Sequence, residues 1–235
     1  MTDAAAAADV PRNGAVLLAN GPLGDAAAAR LRRAALPEGG HWRIGVDGGA
    51  ARMLALGIVP EIVTGDFDSL GRAERAALEA AGARLVPTPD QDFTDLDKAL
   101  AYCRDVLEVP RVDVFGATGG RLDHTFSALS ALVKHGRMTD VRLVDDVGET
   151  RLVRNGALRL AGADLSGRVL SLIALGPVHD IWSRGVRWPL SGEALAPGVR
   201  DGTSNVIVAD QVEIRAGKGD LLVMVHHEPE PPPLP

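Results

Sequence analysis

Two aspartates stand two residues apart in the segment Thr64-Gly65-Asp66-Phe67-Asp68-Ser69, directly after a short apolar run. Two like charges about 4 Å apart repel by about 4 kcal/mol at an effective dielectric of about 20. A divalent cation removes this repulsion, and the hard oxygens of carboxylates select Mg²⁺ or Mn²⁺. We therefore predict that Asp66 and Asp68 bind a metal ion. The alternative is a pair of exposed acids that caps a helix over 71–81.

A second group of charged residues opens a predicted helix. Thr94 is suited to cap this helix, with Asp97 as the acid of a capping box. Capping accounts for neither Asp92 nor Asp95, and Asp95 shares a face of the first turn with Lys98. Together with the preceding pair of aspartates, these residues favour binding of a metal and a phosphate over helix capping alone. The segment reads Gln91-Asp92-Phe93-Thr94-Asp95-Leu96-Asp97-Lys98.

An acid and two glycines follow the predicted strand that ends at Val46, in the order Asp47-Gly48-Gly49. Glycines at this position let the backbone approach a ligand closely, and the acid can accept hydrogen bonds from hydroxyl or amino groups. A tight turn that leads into a helix explains the same pattern equally well. The sequence leaves both interpretations of Asp47, Gly48 and Gly49 open.

A longer glycine-rich loop, Phe115-Gly116-Ala117-Thr118-Gly119-Gly120-Arg121-Leu122-Asp123-His124, leaves one predicted strand and enters a helix. Backbone N–H groups at such a helix start form an anion site, and the guanidinium of Arg121 can grip two phosphate oxygens. The glycine pattern also occurs in dinucleotide-binding folds, where it normally follows the first strand, whereas here it follows the fifth. As an isolated feature, Asp123 with His124 is expected to be a structural pair.

Extended and helical patterns alternate through the first 147 residues. Leu96, Leu100, Cys103 and Leu107 form one apolar helical stripe. Strands and helices that alternate at this spacing predict a parallel sheet with helices on both faces, and such sheets bind ligands beyond the carboxyl ends of their strands. The predicted strands are 15–19, 42–46, 61–64, 84–86, 112–115 and 141–144, and the predicted helices are 25–36, 49–56, 71–81, 94–107 and 122–135.

After residue 147 the helical period disappears and strand patterns follow one another. We therefore predict an N-terminal α/β domain over 14–147, built on a parallel sheet, and a C-terminal β-sandwich over 148–228. Asn155-Gly156 lies between two alternating runs and predicts a hairpin.

Two polar or aromatic features of the predicted β-sandwich stand out. Gly202-Thr203-Ser204-Asn205 is small and polar and by itself predicts a turn. Trp182 and Trp188 flank Gly185-Val186-Arg187, and the pattern alone predicts that both indoles pack in the core.

Composition excludes several classes of partner. The chain has 235 residues with three Trp, one Tyr and four Phe, and 31 acids against 25 bases give a net charge of −6. Nucleic-acid binding requires a basic face or stacking aromatics, so we expect no nucleic-acid partner. The sequence shows no apolar run of about 18 residues or more and no signal-peptide pattern, so we expect no membrane contact. With Cys103 as its single cysteine, the protein is expected to be cytoplasmic.

Taken together, the segments resemble those of thiamine pyrophosphokinase. Six motifs occur in that family's order between about residues 15 and 226, and although each is weakly specific, the ordered set is highly specific. The resemblance implies a homodimer that transfers the pyrophosphoryl group of ATP to the hydroxyl of thiamine, giving thiamine diphosphate and AMP. The motifs are Asp47-Gly48-Gly49, Gly65-Asp66-Phe67-Asp68-Ser69, Gln91 to Lys98, Gly119-Gly120-Arg121-Leu122-Asp123-His124, Gly185-Val186-Arg187-Trp188-Pro189-Leu190 and Gly202-Thr203-Ser204-Asn205.

The resemblance also implies roles for individual residues of the α/β domain, which would be the catalytic domain and bind ATP and Mg²⁺. Asp66, Asp68 and Asp95 would hold Mg²⁺, and with Lys98 and Arg121 they would form the catalytic group. The residues that would surround the nucleotide are Asp47, Gly48, Gly49, Gln91, Thr94, Lys98, Thr118, Gly119, Gly120, Arg121, Asp123 and His124.

By the same resemblance, the β-sandwich would bind thiamine and mediate dimerisation. Ser204 and Asn205 would contact thiamine in the active site of the partner subunit, so that each site is shared. Animal members carry a tryptophan in the last strand that stacks on the thiamine pyrimidine, whereas this chain offers Val223. Trp188 is the substitute that the sequence provides.

Two other functions use part of the same residues. A metal-dependent phosphohydrolase acting on a nucleotide or a small phosphate ester would use Asp66 and Asp68, with one of them as nucleophile, but it needs neither Arg121 nor Ser204. A nucleotide sensor without catalytic activity would bind ATP without turnover, and clustered carboxylates make it the least favoured interpretation.

Overall fold

The computed structural model describes residues 12–229, and the chain divides between Asp145 and Asp146 into two compact units. In the first unit, strands and helices alternate as predicted. Among the residues that the structure describes, no helix combines the length and apolar character needed to cross a membrane. The strands of this unit are β1 (Gly14–Leu18), β2 (His41–Val46), β3 (Ile62–Gly65), β4 (Arg84–Pro87), β5 (Arg111–Phe115) and β6 (Asp140–Val144), and its helices are α1 (Asp25–Ala34), α2 (Gly49–Ala55), α3 (Arg72–Ala80), α4 (Asp95–Asp105) and α5 (Leu122–His135).

The strands of the first unit form a parallel sheet in the order β6-β5-β1-β2-β3-β4. Because β1 pairs with β2 on one side and with β5 on the other, the strand order reverses between β1 and β5. In such sheets, ligands bind in the crevice beyond the carboxyl ends of the strands, where the order reverses. The loops after β1, β2, β3 and β5 therefore meet at the edge where the sequence predicts the site.

Burial shows that both faces of this sheet are covered. All five residues of β1 are buried. Val16 and Leu18 pack with Leu31 of α1 and Met53 of α2. Since side chains alternate between the faces of a strand, the fully buried Leu17 lies on the opposite face. Removing each such aliphatic side chain from water contributes about 1.5–3 kcal/mol. The predicted parallel α/β fold is confirmed.

The second unit consists of two antiparallel sheets, with strand orders β12-β9-β14-β7 and β11-β10-β13-β8. Leu170, Leu172 and Val223 of the first sheet share one buried cluster with Ile181 and Ile214 of the second. This arrangement confirms the predicted β-sandwich. The strands are β7 (Gly148–Val153), β8 (Gly156–Ala161), β9 (Arg168–Ala174), β10 (Val178–Arg184), β11 (Ser191–Leu195), β12 (Gly202–Val206), β13 (Gln211–Ala216) and β14 (Leu221–Pro229).

The hairpin predicted at Asn155-Gly156 is wrong. The strands on either side of this turn belong to different sheets, because β7 pairs with β14 and β8 pairs with β13. A two-residue hairpin turn of type I′ requires a positive φ at both central residues. Of the two, Asn155 alone adopts one, with φ of 46°, and its N–H donates to the carbonyl of Gly217 at 3.1 Å. The turn therefore carries the chain from one sheet to the other.

Two further expectations for the second unit are wrong. Gly202–Val206 forms strand β12 rather than a turn, because it pairs with β9 through an irregular register. Trp182 and Trp188 are 47% and 58% exposed rather than packed in the core. The core of the sandwich is filled by aliphatic side chains, which leaves both indoles at the surface.

Candidate active site

A cleft of about 520 Å³ opens at the carboxyl edge of the parallel sheet. Its walls come from the loops after β1, β2, β3, β4 and β5, from the first turn of α4 and from the first two turns of α5. The predicted site residues that line it are Asp47, Asp66, Asp68, Gln91, Thr94, Asp95, Lys98, Gly119, Arg121 and His124. The predicted residues of the first unit outside this lining are Gly48, Gly49, Thr118, Gly120 and Asp123.

Three carboxylates form the acidic end of the cleft. Asp47, Asp66 and Asp68 each offer an oxygen, and these oxygens lie within 4.8 Å of one another. Asp47 is 6% exposed, and its Oδ1 is buried without a hydrogen-bond partner among the described residues. An unpaired buried acceptor costs about 1–3 kcal/mol, and a cation at this point would remove that cost. Asp95, the third ligand that the resemblance implies, lies outside this group.

The backbone around Asp47 is fixed by close packing. Asp47 itself adopts φ of 48°, a left-handed conformation. A Cβ on Gly48 would lie 2.6 Å from the amide of Asn20, and a Cβ on Gly49 would lie 2.0 Å from the carbonyl oxygen of Leu18. Glycine is therefore required at position 49, where the start of α2 approaches the backbone of β1, whereas a Cβ at position 48 would only displace the side chain of Asn20. The close approach at Gly49 fixes the backbone two residues after Asp47.

The loop after β3 is anchored by an aromatic residue between its two acids. Phe67 is buried and adopts φ of 65°, and this anchor leaves Asp66 and Asp68 at the cleft. The N–H of Asp68 donates to Asp66 Oδ1 at 3.1 Å, and the amide of Gln91 approaches Asp66 Oδ2 at 3.4 Å. These two donors, the backbone N–H first, lower the pKa of Asp66. Asp66 is therefore a carboxylate at neutral pH.

The start of α4 places a lysine and an acid side by side. Thr94 caps the helix, since its Oγ1 accepts a hydrogen bond at 3.3 Å from the N–H three residues on. Lys98 Nζ lies 2.8 Å from Asp95 Oδ1 and donates to the carbonyls of Thr88 and Asp90 at 2.7 and 2.9 Å. The ammonium of Lys98 thus holds the loop before α4, and Asp95 is paired with it.

The glycine-rich loop carries an exposed ion pair at the start of α5. Arg121 donates to Asp123 through Nη2 at 2.6 Å and through Nε at 3.2 Å. The two side chains are 70% and 63% exposed. Hydrogen bonds from this guanidinium hold the pKa of Asp123 below its usual value. Thr118 donates to Asp145 Oδ2 at 2.9 Å, which anchors the loop.

Three predicted thiamine-site residues lie together in the second unit. Asn205 is 8% exposed, and its Nδ2 donates to the carbonyl of Trp188 at 2.7 Å. Its Oδ1 accepts from the N–H groups of Trp188 and Val206 at 3.1 and 2.9 Å. Ser204 is exposed and adopts φ of 60°. Val223 is 1% exposed inside the sandwich core and offers no surface to a ligand.

One wall of the cleft was not predicted from the sequence. The loop Asn20-Gly21-Pro22, directly after β1, lines the cleft. The N–H of Gly21 donates to the carbonyl of Gly116 at 2.8 Å, so this loop runs beside the one after β5. Arg52 also donates to the carbonyl of Gly21. The position of this loop directly after a central strand could have predicted that it lines the cleft, whereas its residue types alone indicate only a turn.

Two family models match consecutive parts of the chain. The model described as "Thiamin pyrophosphokinase, catalytic domain" matches residues 35–144, and the one described as "Thiamin pyrophosphokinase, vitamin B1 binding domain" matches residues 159–221. The thiamine pyrophosphokinase of Bacillus subtilis (strain 168) is 31% identical over 186 residues, which cover 77% of this chain and 85% of that protein. Thiamin pyrophosphokinase 1 of Caenorhabditis elegans is 29% identical over 165 residues, which cover 67% of this chain and 66% of that protein.

Solved structures agree with the sequence comparison. The crystal structure of thiamine pyrophosphokinase from Bacillus subtilis superposes with a TM-score of 0.78 at 26% identity, covering 92% of this chain and 99% of that chain. The yeast thiamin pyrophosphokinase structure shares the fold, with a TM-score of 0.74 at 16% identity, covering 93% of this chain and 87% of that chain. Matched along both units and in the order of its motifs, this chain belongs to the thiamine pyrophosphokinase family.

Proposed function

We propose that this chain transfers the pyrophosphoryl group of ATP to the hydroxyl of thiamine, giving thiamine diphosphate and AMP. The observation that carries the proposal is one cleft lined by the acids Asp47, Asp66 and Asp68 and by the cations Lys98 and Arg121. Transfer of a phosphoryl-type group requires in-line positioning and neutralisation of charge on the phosphate oxygens. The family membership and this combination of charges support the same reaction.

The decisive experiment measures products with and without the acceptor. The purified protein is incubated with ATP and Mg²⁺, in the presence or absence of thiamine, and AMP, thiamine diphosphate and inorganic phosphate are quantified. We expect AMP and thiamine diphosphate in equal amounts, and only when thiamine is present. Phosphate release without thiamine would support a metal-dependent phosphohydrolase instead. ATP binding without any product would support a sensor.

We propose that Mg²⁺ binds to Asp47, Asp66 and Asp68, with Asp95 as a further ligand on the side of Lys98. The buried Oδ1 of Asp47, which has no hydrogen-bond partner within residues 12–229, supports this assignment, because its position among carboxylates suits a hard cation. Mg²⁺ supplies charge neutralisation and orientation of phosphate oxygens when it is bound. Asp66, held as a carboxylate by the N–H of Asp68, keeps its ligand oxygens ionised at neutral pH.

The cationic side chains then bind the triphosphate, with Gln91 and Thr94 as neighbouring donors. Lys98 is fixed by two backbone carbonyls, so little side-chain entropy remains to be lost when a phosphate approaches. Arg121 must leave Asp123 to bind phosphate, and an exposed ion pair of this kind contributes little stability. A carboxylate of the cleft accepts the proton of the thiamine hydroxyl.

The substitution Asp47→Asn tests the metal site through stability. Without metal, we expect a melting temperature about 2–4 °C higher for each ~1 kcal/mol of repulsion that is removed. Asparagine also tolerates the left-handed φ of 48° at this position. With Mg²⁺ added, the wild type should gain stability and the variant should gain little. Differential scanning calorimetry in chelator and in Mg²⁺ measures both effects, with the exposed Asp92→Asn as matched control. An unchanged Mg²⁺ response in Asp47→Asn would remove Asp47 from the metal site.

The substitution Arg121→Lys tests the phosphate contact. We expect kcat/KM for ATP to fall by about tenfold, because lysine keeps the charge but lacks the planar fork that binds two phosphate oxygens. Steady-state kinetics at saturating thiamine measures the change. Arg33→Lys on α1 is the control, since that arginine is exposed and lies outside the cleft lining. A change within about twofold would make Arg121 an ordinary surface cation.

We propose that Trp188 and Ser204 contact thiamine and that Asn205 acts by holding the backbone of Trp188. Three hydrogen bonds tie the buried Asn205 amide to the backbone of Trp188 and Val206, which favours a positioning role over direct contact with thiamine. Asn205→Ala should therefore raise the KM for thiamine about fivefold and leave the KM for ATP within about twofold.

A double-mutant cycle measures whether Asn205 acts through the indole. In a Trp188→Ala background, Asn205→Ala should raise the thiamine KM by less than about twofold further, because the indole that it positions is gone. Multiplicative effects of the two substitutions would instead assign Asn205 to direct contact with thiamine. Because Asn205 is buried, Asn205→Ser, which keeps a small polar side chain, is the second variant if Asn205→Ala does not fold.

We propose that the chain works as a homodimer in which each active site joins the first unit of one subunit to the second unit of its partner. Support comes from the division of the candidate residues between the two units, since the cleft is lined by residues of the first unit whereas Ser204 and Trp188 belong to the second. We also propose that the protein is cytoplasmic. The buried thiol of Cys103, the single cysteine, fits a reducing compartment.

A further inference from the structure

Phe93 is an aromatic side chain at the cleft to which no role has been given. It precedes the cap of α4, lines the cleft and is 50% exposed. Among the described lining residues, it is the only phenylalanine, tyrosine or tryptophan. A phenyl ring that is half exposed to water lacks the stabilisation of full burial, and a ligand ring stacked on it would supply that stabilisation.

A lysine paired with an aspartate lies against this ring. Lys134 Nζ of α5 lies 4.2 Å from the centroid of the Phe93 ring and 2.7 Å from Asp97 Oδ2. The other oxygen of Asp97 lies 3.0 Å from Nε2 of the buried His135. Asp97 therefore does not complete the predicted capping box, because its carboxylate turns to α5 instead. These contacts fix the ammonium of Lys134 against one side of the ring.

The position of Lys134 determines which kind of ligand can stack on the Phe93 ring. Phe93 lines the cleft and is 50% exposed whereas Lys134 does not line it, so part of the ring remains accessible from the cleft. A cation held against a ring uses the negative potential of its π system and disfavours a second cation at the same ring. The thiazolium of thiamine carries a positive charge, whereas a nucleobase is neutral and stacks on aromatic rings of any kind.

We propose that Phe93 stacks on the nucleobase of ATP and that Lys134, paired with Asp97, is a positioning residue for this ring. The inference rests on the proposed function, since it names the residue that contacts the base of ATP, the co-substrate of that reaction. The triphosphate would extend from the base toward Lys98, which follows Phe93 within the first turn of α4.

The test compares two ligands that share the phosphates and differ in the base. Dissociation constants for ATP and for inorganic tripolyphosphate are measured by calorimetry in Mg²⁺, for the wild type and Phe93→Leu. Leucine keeps an apolar side chain of similar size but removes the π face. We expect about tenfold weaker ATP binding, because stacking of one base on an aromatic side chain is worth about fivefold to a hundredfold in affinity. Tripolyphosphate binding should stay within about twofold. Phe126→Leu, an exposed residue of α5 outside the cleft lining, is the matched control.

The role of Lys134 is tested with a second cycle. Lys134→Met should weaken ATP binding about threefold and leave tripolyphosphate binding unchanged, whereas Lys134→Arg should bind ATP as the wild type does. In the Phe93→Leu background, Lys134→Met should not weaken ATP binding further. If Lys134→Met does not fold, Lys134→Gln, which also removes the charge, takes its place in the same cycle.

The possible outcomes separate this inference from the proposed function. Equal weakening of ATP and tripolyphosphate would show that Phe93 only supports the neighbouring backbone and would overturn the inference. A raised KM for thiamine with unchanged ATP binding would assign the ring to thiamine and also overturn it. Because ATP binding is measured without turnover, wild-type ATP binding without thiamine-dependent AMP release would refute only the proposed reaction. Absence of ATP binding by the wild type would refute both.

Discussion

Asp66→Asn is expected to lower kcat by about a thousandfold or more at saturating ATP, thiamine and Mg²⁺. Metal-assisted stabilisation of charge contributes several kcal/mol to a barrier, and about 4 kcal/mol corresponds to a thousandfold change. Asparagine keeps an oxygen that can accept the hydrogen bond from the N–H of Asp68, so the loop after β3 should keep its conformation. The loss should therefore appear in turnover without a fall in the melting temperature, which removal of a charge from the cluster should raise if anything, as for Asp47→Asn.

The control for this prediction removes the same charge from the same edge of the sheet. Asp92 is exposed, lies outside the cleft lining and is one residue from Gln91. Asp92→Asn should leave kcat within about twofold. Binding of Mn²⁺, followed by electron paramagnetic resonance, should weaken in Asp66→Asn and not in the control. Turnover near that of the wild type in Asp66→Asn would exclude Asp66 from the metal site.

Coexpression of two inactive variants is expected to restore activity to about one quarter of the wild type. One variant is Asp66→Asn, and the other is the double substitution Ser204→Ala with Trp188→Ala, assayed at a thiamine concentration where neither homodimer is active. If each active site joins the first unit of one subunit to the second unit of its partner, a mixed dimer collects both lesions in one site and leaves the other intact. Random pairing makes about half of the dimers mixed, which gives about one quarter of the sites.

The opposite arrangement gives an equally clear result. If every site is built within one chain, each site in the mixture carries a lesion, and activity stays at the level of the two homodimers. Different affinity tags on the two variants, purified in sequence, establish that mixed dimers are present before the assay. Activity at background in such dimers would exclude the shared site and would leave the proposed reaction itself untouched.

Local pattern predicted most of the first unit. Strands and helices could be placed because apolar period and helix caps are properties of short segments, as Thr94 at the start of α4 shows. The acids Asp66 and Asp68 could be assigned to a strand end for the same reason. The alternating β and α elements then required a parallel sheet, and its carboxyl edge required these loops to lie close together.

The sequence could not decide which carboxylates share a cation. Asp47 joins Asp66 and Asp68 because β2 pairs with β3, and the N–H of Asp47 donates to the carbonyl of Thr64 at 2.8 Å. Asp95 is instead paired with Lys98, 2.8 Å away on its own helix. Distances of this kind follow from strand pairing and helix packing, which spacing along the chain does not contain.

The second unit shows the same division between local and tertiary information. Alternating residues determined that it is built of strands, and Asn155-Gly156 determined that the chain turns there. Which strands pair was decided by partners far along the chain, because β14 occupies the edge of β7 and β13 occupies the edge of β8. Trp188 is exposed for a related reason, since aliphatic side chains from both sheets already fill the core. The sequence determined the elements and the chemistry at their ends, and the tertiary structure decided their neighbours, because pairing and packing join residues that no local pattern relates.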